Sequence, residues 1–179
     1  MAYTREQLIA LVQDYAQRFG IRPDVAVAQI RRESDNFRPD VVYGPYVAGA
    51  GERGLTQFTP DTWARFGSGP HTNAYIPEYA LEAWGKYMTY LLDLFNWDYS
   101  KALTGYNGGE GHLTNPSRYK PPSAAALRYA SEVLAAAGSE SAPTADGSGA
   151  GGRTESQTNW LLIGAVAAIA LIALGVFDD

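Results

Sequence analysis

Cysteine is absent from the 179 residues, and histidine occurs only at His71 and His112. The first absence removes thiol nucleophiles, disulfides and Cys-based zinc or iron–sulfur sites, and the second leaves too few imidazoles for a His-rich metal centre. No metal or other cofactor is expected. Basic residues are also scarce: 14 Lys and Arg stand against 19 Asp and Glu, net −5, and no Lys/Arg-rich run supplies a local patch. Nucleic acid is therefore excluded as a partner class. The first 19 residues, MAYTREQLIALVQDYAQRF, carry acidic and polar residues where an export signal needs a continuous apolar run. The chain is accordingly expected to be made as a soluble N-terminal domain.

What is present divides into three unlike segments. Residues 1–137 hold 13 basic and 14 acidic residues, so most of the net charge belongs to the tail. Residues 138–159, GSESAPTADGSGAGGRTESQTN, contain three apolar residues, all Ala. Such a stretch buries too little surface to offset its ordering entropy and reads as a flexible linker with a span on the order of 25 Å. Trp160 to Phe177, WLLIGAVAAIALIALGVF, has no charged residue and as a helix is roughly 27 Å long. It reads as a C-terminal transmembrane helix, with Trp160 and Phe177 at the two interfaces and a lipid membrane as partner. Gly164 and Ala168 form a small-xxx-small pair, a weak sign of self-association.

The first segment reads as mainly α, with helices joined by glycine-rich loops. Thr4 and Gln7 form a capping box, Leu8, Leu11, Tyr15 and Phe19 repeat at helical spacing, and Gly20 supplies a stop. A second helix is predicted from Pro23 to about Ser34. Thr59-Pro60-Asp61 opens a short third, and Pro77 a long one carrying Trp84, Met88, Leu91 and Phe95. Another covers about 98–106, and Ser123 caps a last one ending before Gly138. Val41 to Tyr46 reads as loop, because Gly44 and Pro45 break any strand.

With thiol, metal and Ser/His chemistry gone, hydrolytic or lyase chemistry falls to carboxylates. Glu33 is the unusual one: Ala26, Ile30 and Glu33 fall at i, i+4 and i+7, which puts the carboxylate on the apolar stripe. Desolvation there raises a carboxyl pKa, as a general acid near neutral pH requires. The bland alternative is an exposed helix-terminal Glu paired with Arg31 or Arg32. Glu33-Ser34, then Gly54-Leu55-Thr56-Gln57, then Gly105-Tyr106-Asn107-Gly108-Gly109, then Tyr129 resemble, in that order, the catalytic domain of soluble lytic transglycosylases, the lysozyme-like enzymes that cleave peptidoglycan. The resemblance spans about residues 5–136.

The resemblance implies a lysozyme-like helical domain and a peptidoglycan glycan strand as substrate. It makes Glu33 the single acid/base and Ser34 a polar neighbour orienting Glu33 or the substrate. Gln57, Tyr106 and Asn107 become contacts to the sugar N-acetyl group or to Glu33, and Tyr129 a final-helix tyrosine near the carboxylate. Gly54, Gly108 and Gly109 would let backbone approach closely in the cleft. Against this, Tyr106 and Tyr129 also read as core aromatics, Gln57 as a helix-terminal cap and the glycines as turn formers. The chain departs from the family pattern at Thr56, where Met is usual, at Gly105, where Ala is usual, and in a longer loop over 35–53.

Glu52, Asp61 and Glu110 have no readable partner in the sequence, so no second catalytic carboxylate is expected. That favours the lyase, which needs one carboxyl group, over a water-using muramidase; a wall-binding module without turnover is the non-enzymatic alternative. The 20 aromatics of the domain, Trp63, Trp84 and Trp97 among them, suit both sugar stacking and a core. A wall enzyme without an export signal suggests a virion component of a phage with an internal membrane, opening peptidoglycan as the genome enters; a secretion- or conjugation-associated enzyme is the alternative.

Overall fold

The computed structural model describes residues 2–115 and 117–140. The first helix, α1 (Arg5–Arg18), begins where the capping pattern places it. Thr4 accepts from the Gln7 N–H, the Gln7 side chain accepts from the Thr4 N–H, and Gly20 leaves the helix at φ 67°. Its buried stripe is Leu8, Val12, Tyr15 and Ala16, with Leu11 and Phe19 at the margin.

Helix α2 (Pro23–Glu33) is the most enclosed, with every side chain from Val25 to Ile30 buried. The buried Gln29 accepts a 3.1 Å hydrogen bond from the Trp84 indole N–H on α5 (Pro77–Leu94). Trp84, Met88 and Leu91 of α5 are fully buried, and the helix lies against α1 and α6 (Tyr99–Gly108). The last helix, α8 (Ala124–Glu140), packs extensively on both α6 and α2. It runs through Gly138 to Glu140, past the residue where the sequence pattern ends it; a Cβ at Gly138 would meet no neighbour. Of the linker expected over 138–159, the first three residues are thus helical; its remainder over 141–159 and the apolar run over 160–177 lie outside the described residues, among which no helix is long and apolar enough to cross a membrane.

Three short elements carry no periodicity and escape the sequence reading: α3 (Pro39–Val42), a 3-10 helix over His71–Tyr75, and α7 (Gly111–Thr114). The fourth helix, α4 (Pro60–Phe66), starts at Thr59, whose hydroxyl accepts from the Thr62 N–H as the sequence predicts. Among the described residues, β pairing is confined to one bridge between Arg53 and Phe58.

The end of α2 is built with strain. Asp35, Asn36 and Phe37 follow one another at φ 50°, 62° and 63°. That region costs a non-glycine residue roughly 1–2 kcal/mol. Ser34 holds the turn: its hydroxyl donates to the Ile30 carbonyl at 2.7 Å and accepts from the Phe37 N–H at 3.0 Å. Glu33, one residue earlier, is thereby fixed at the last position of a helix that stops abruptly.

Candidate active site

Glu33, Ala48, Glu52, Gln57, Phe58, Thr59, Thr62, Tyr87, Tyr106 and Asn107 line one cleft of about 270 Å³. Helix α2 delivers Glu33, the 48–59 loop one wall, α5 Tyr87 and the end of α6 Tyr106 and Asn107. Helix α6 reaches Gly108, two residues further than the sequence suggests, so Tyr106 and Asn107 ride on its final turn.

Burial pushes the Glu33 carboxyl up to about 7. Two neighbours oppose the shift: the Tyr129 hydroxyl, which donates to Glu33 Oε1, and the charge of Arg32. Glu52 adds to it by like-charge repulsion. Arg32 itself is turned outward, stacked 5.0 Å over the Tyr129 ring and paired with Glu132 of α8. Arg32 thus engages Glu132 and the Tyr129 ring, while its charge still reaches Glu33. Burial and the nearby Glu33 charge raise Tyr129 well above the usual phenol range, so it stays a donor.

The other residues singled out in the sequence occupy different places. Gln57, at φ 49°, donates from its side-chain amide to the Gly54 carbonyl at 2.9 Å, which leaves its amide oxygen to the cleft. Asn107 is exposed on the cleft wall, and its side chain makes no hydrogen bond among the described residues. Tyr106 lines the cleft with its ring, and its hydroxyl donates to the Thr56 carbonyl at 2.7 Å, tying α6 to the second motif. Ser34 is fully buried outside the cleft, so of its two implied roles only orientation of Glu33 is compatible with its position. Tyr129 is also buried and meets the cleft only through Glu33.

The glycines serve the fold more than the cleft. A Cβ on Gly54 would lie 1.8 Å from the Ala74 carbonyl oxygen, and one on Gly108 2.9 Å from the Ala126 Cβ. These close approaches join elements to one another, not backbone to sugar; Gly109, at φ 89°, ends α6. Gly105 has the same logic, because a Cβ there would crowd Phe95 at 3.2 Å and Leu91 at 3.4 Å. Thr56 is fully buried and its hydroxyl has no hydrogen-bond partner, the cost of a polar group where the family pattern has Met.

Of the two readings of the tryptophans, the core reading holds for Trp63 and Trp84. Trp63 and Trp84 are core residues and Trp97 is exposed away from the cleft, whose aromatics are Phe58, Tyr87 and Tyr106. Nothing in the sequence singles out Tyr87 or Phe58, although Tyr87 follows Trp84 by one turn of α5. Glu52, by sequence a loop acid without a partner, faces the cleft. Glu110 is the acid with partners, a 3.0 Å pair with Arg65 and a 3.3 Å bond from Tyr87. Among the described residues no three His, Asp or Glu side chains gather as metal ligands.

Residues 10–127 match the family described as the transglycosylase SLT domain, well over half of the chain. The chain belongs to that family. Among solved structures, the SLT domain is similar to the lytic transglycosylase Slt of Pseudomonas aeruginosa, solved as an inactive mutant (20% identity, TM-score 0.59). It is also similar to the 70 kDa soluble lytic transglycosylase of Escherichia coli (22% identity, TM-score 0.58). Both alignments cover 72% of this chain and 23% of the other, so this chain spans about a quarter of the length of those proteins. At such identity the likeness establishes the helical, lysozyme-like SLT fold.

Within that SLT domain, Tyr129→Phe removes a hydrogen bond that favours the charged form of Glu33. The Glu33 pKa should then rise, carrying the alkaline limb of a pH–activity profile upward, with turnover reduced about tenfold as the carboxyl loses its orienting partner. A profile whose alkaline limb stays in place or moves down would show that Tyr129 does not act through Glu33.

Proposed function

We propose that this SLT domain is a peptidoglycan lytic transglycosylase that cleaves the β-1,4 bond between N-acetylmuramic acid and N-acetylglucosamine and leaves 1,6-anhydro-muramyl ends. The observation that carries the reading is Glu33, a carboxyl in the cleft with its pKa raised to about 7, held by a tyrosine that remains a donor. Near neutral pH such a group is protonated often enough to give its proton to the glycosidic oxygen and, once ionised, basic enough to take one back. In the proposed sequence the C1–O bond breaks as Glu33 protonates the leaving oxygen, and the sugar's N-acetyl group stabilises the charge at C1. The C6 hydroxyl then closes on C1 while its proton passes to Glu33, and no water is consumed. Gln57 and Asn107, each with unpaired amide capacity at the cleft, are the groups suited to hold the N-acetyl group.

Mass spectrometry of fragments released from purified sacculi tests the reading. Anhydro ends are expected as the main product. Fragments bearing only reducing ends would assign the domain as a muramidase, and binding without release would make it a wall-binding module.

The apolar run over 160–177 supports placement at a membrane, with the domain tethered by the preceding Gly/Ser-rich segment. Tethering of a wall-cleaving domain at a membrane suits a virion component that opens the wall locally as a phage genome enters. Detection in purified particles is the expected result, and presence in host envelopes but not in particles would overturn this setting.

A further inference from the structure

A carboxylate without a cation in a cleft already holding a carboxyl group is electrostatically unfavourable, and Glu52 is in that position. It is half-buried on the wall of the cleft that contains Glu33. Its Oε2 accepts from the Ala50 N–H at 2.8 Å, and no other side-chain hydrogen bond or ion pair engages it among the described residues. The loop that presents it is firm. The Glu52 carbonyl accepts from Ala48 N–H at 3.0 Å, the Ala48 carbonyl from Gly51 N–H at 3.0 Å, and Arg53 and Phe58 exchange backbone bonds of 3.1 and 3.2 Å. Glu52 is thus fixed by its own loop with one oxygen left over, beside the cleft-lining Ala48 and Phe58. Its negative charge is felt at Glu33. An acid that proteins would ordinarily neutralise or expel has instead been held in place.

We propose that Glu52 is a second catalytic carboxylate, which takes a proton from water and diverts a fraction of each cleavage from ring closure to hydrolysis. The inference rests on glycosidic cleavage by Glu33. Once Glu33 has given its proton to the leaving oxygen and the C1–O bond has broken, two nucleophiles compete for C1. In ring closure the C6 oxygen bonds to C1 and its proton goes to Glu33. In the second branch a water oxygen bonds to C1, its proton goes to Glu52, and the fragment ends as a reducing sugar; Glu52 then returns its proton to solvent and Glu33 takes one up. One water is consumed, and the two carboxyl groups act as the acid and base of a hydrolytic glycosidase.

The test compares the full-length wild type with Glu52→Gln and Glu52→Asp on purified sacculi, counting reducing ends, one water heavier, against anhydro ends at early times. In Glu52→Gln the amide oxygen keeps an acceptor for the Ala50 N–H, so the loop retains its bond while the base is lost; thermal unfolding of each variant checks this. Wild type is expected to release both kinds of end, and Glu52→Gln to lower the ratio of reducing to anhydro ends on the order of a hundredfold. The shorter carboxylate of Glu52→Asp should lower it less. Anhydro ends alone from wild type, or an unchanged ratio in Glu52→Gln, overturns the proposal while leaving the lyase reading intact. No fragments at all from wild type would overturn both.

Discussion

Glu33→Gln should abolish fragment release while leaving the fold intact. The loss expected for removing a general acid is about 10²–10⁴-fold, and in the proposed reaction the same group also accepts the proton of ring closure, which places the effect toward the upper end. Glutamine keeps the shape and an oxygen to accept from Tyr129, so the packing of α2 on α8 has no reason to change. Stability supplies an independent readout. The folded-state pKa of Glu33, about 7, lies above its unfolded value of 4.5. The native state therefore binds this proton more tightly, so its contribution is fully present below about pH 4.5 and is lost as pH rises to about 7. A charged Glu33 then costs about 3 kcal/mol, a penalty that glutamine avoids. Melting curves should nearly coincide near pH 4, and the variant should be the more stable at about pH 8. Equal pH dependence would mean that the carboxyl is not desolvated, and substantial residual turnover would remove Glu33 from the acid role.

The parts of the molecule that sequence makes legible are those written locally. The Thr4–Gln7 box, the Thr59 cap, Pro77 at the start of α5 and the apolar stripes each specify a helix from its own residues. The Glu33 stripe is legible for the same reason, since Ala26, Ile30 and Glu33 share one face of one helix. The cleft is assembled from distant segments, and its remaining members have no local signature. Glu52 reads as a solvated loop acid until the Arg53–Phe58 bridge turns its loop toward α2. Tyr87 is one more aromatic on a helix rich in them. The run Asp35–Phe37 has residues tolerant of positive φ at its first two positions, but no local preference puts a phenylalanine in that region; burial of its ring in the core and the bond from its N–H to the Ser34 hydroxyl hold it there.

The electrostatics show why this site depends on its surroundings at several removes. Arg32 would lower Glu33 further if it turned inward, and it is kept outward by Glu132 and by the face of Tyr129. Tyr129 in turn lies beside Gln29, whose amide weakly favours ionisation of the phenol and is itself fixed by Trp84. The opposing influences of Glu52 and Tyr129 meet at Glu33 from opposite sides of the chain order, one from the 48–59 loop and one from the final helix.

The largest loss of stability is expected from Gly54→Ala. The position combines φ 72° with a backbone approach so close that a Cβ would sit 1.8 Å from the Ala74 carbonyl oxygen and 2.5 Å from its carbon. Left-handed backbone alone costs an alanine about 1–2 kcal/mol. The overlap is with main chain, which cannot swing aside as a flexible side chain would, so the loop and the His71–Tyr75 turn must separate. About 3–5 kcal/mol is the expected total, near the upper limit for single substitutions and enough to lower the melting temperature by roughly 10 °C or more. Activity should fall with it even where the protein remains folded, because the displaced loop carries Glu52 and Gln57 and accepts the Tyr106 hydroxyl at Thr56. Gly49→Ala is the matched control: it lies in the same loop, a Cβ there meets nothing within 4 Å, and its effect should stay within about 0.5 kcal/mol. If the two variants melt together, the contact between the second motif and the 3-10 turn does not hold the cleft wall in place; if only Gly54→Ala melts early, that contact is what fixes Glu52 and Gln57 against Glu33.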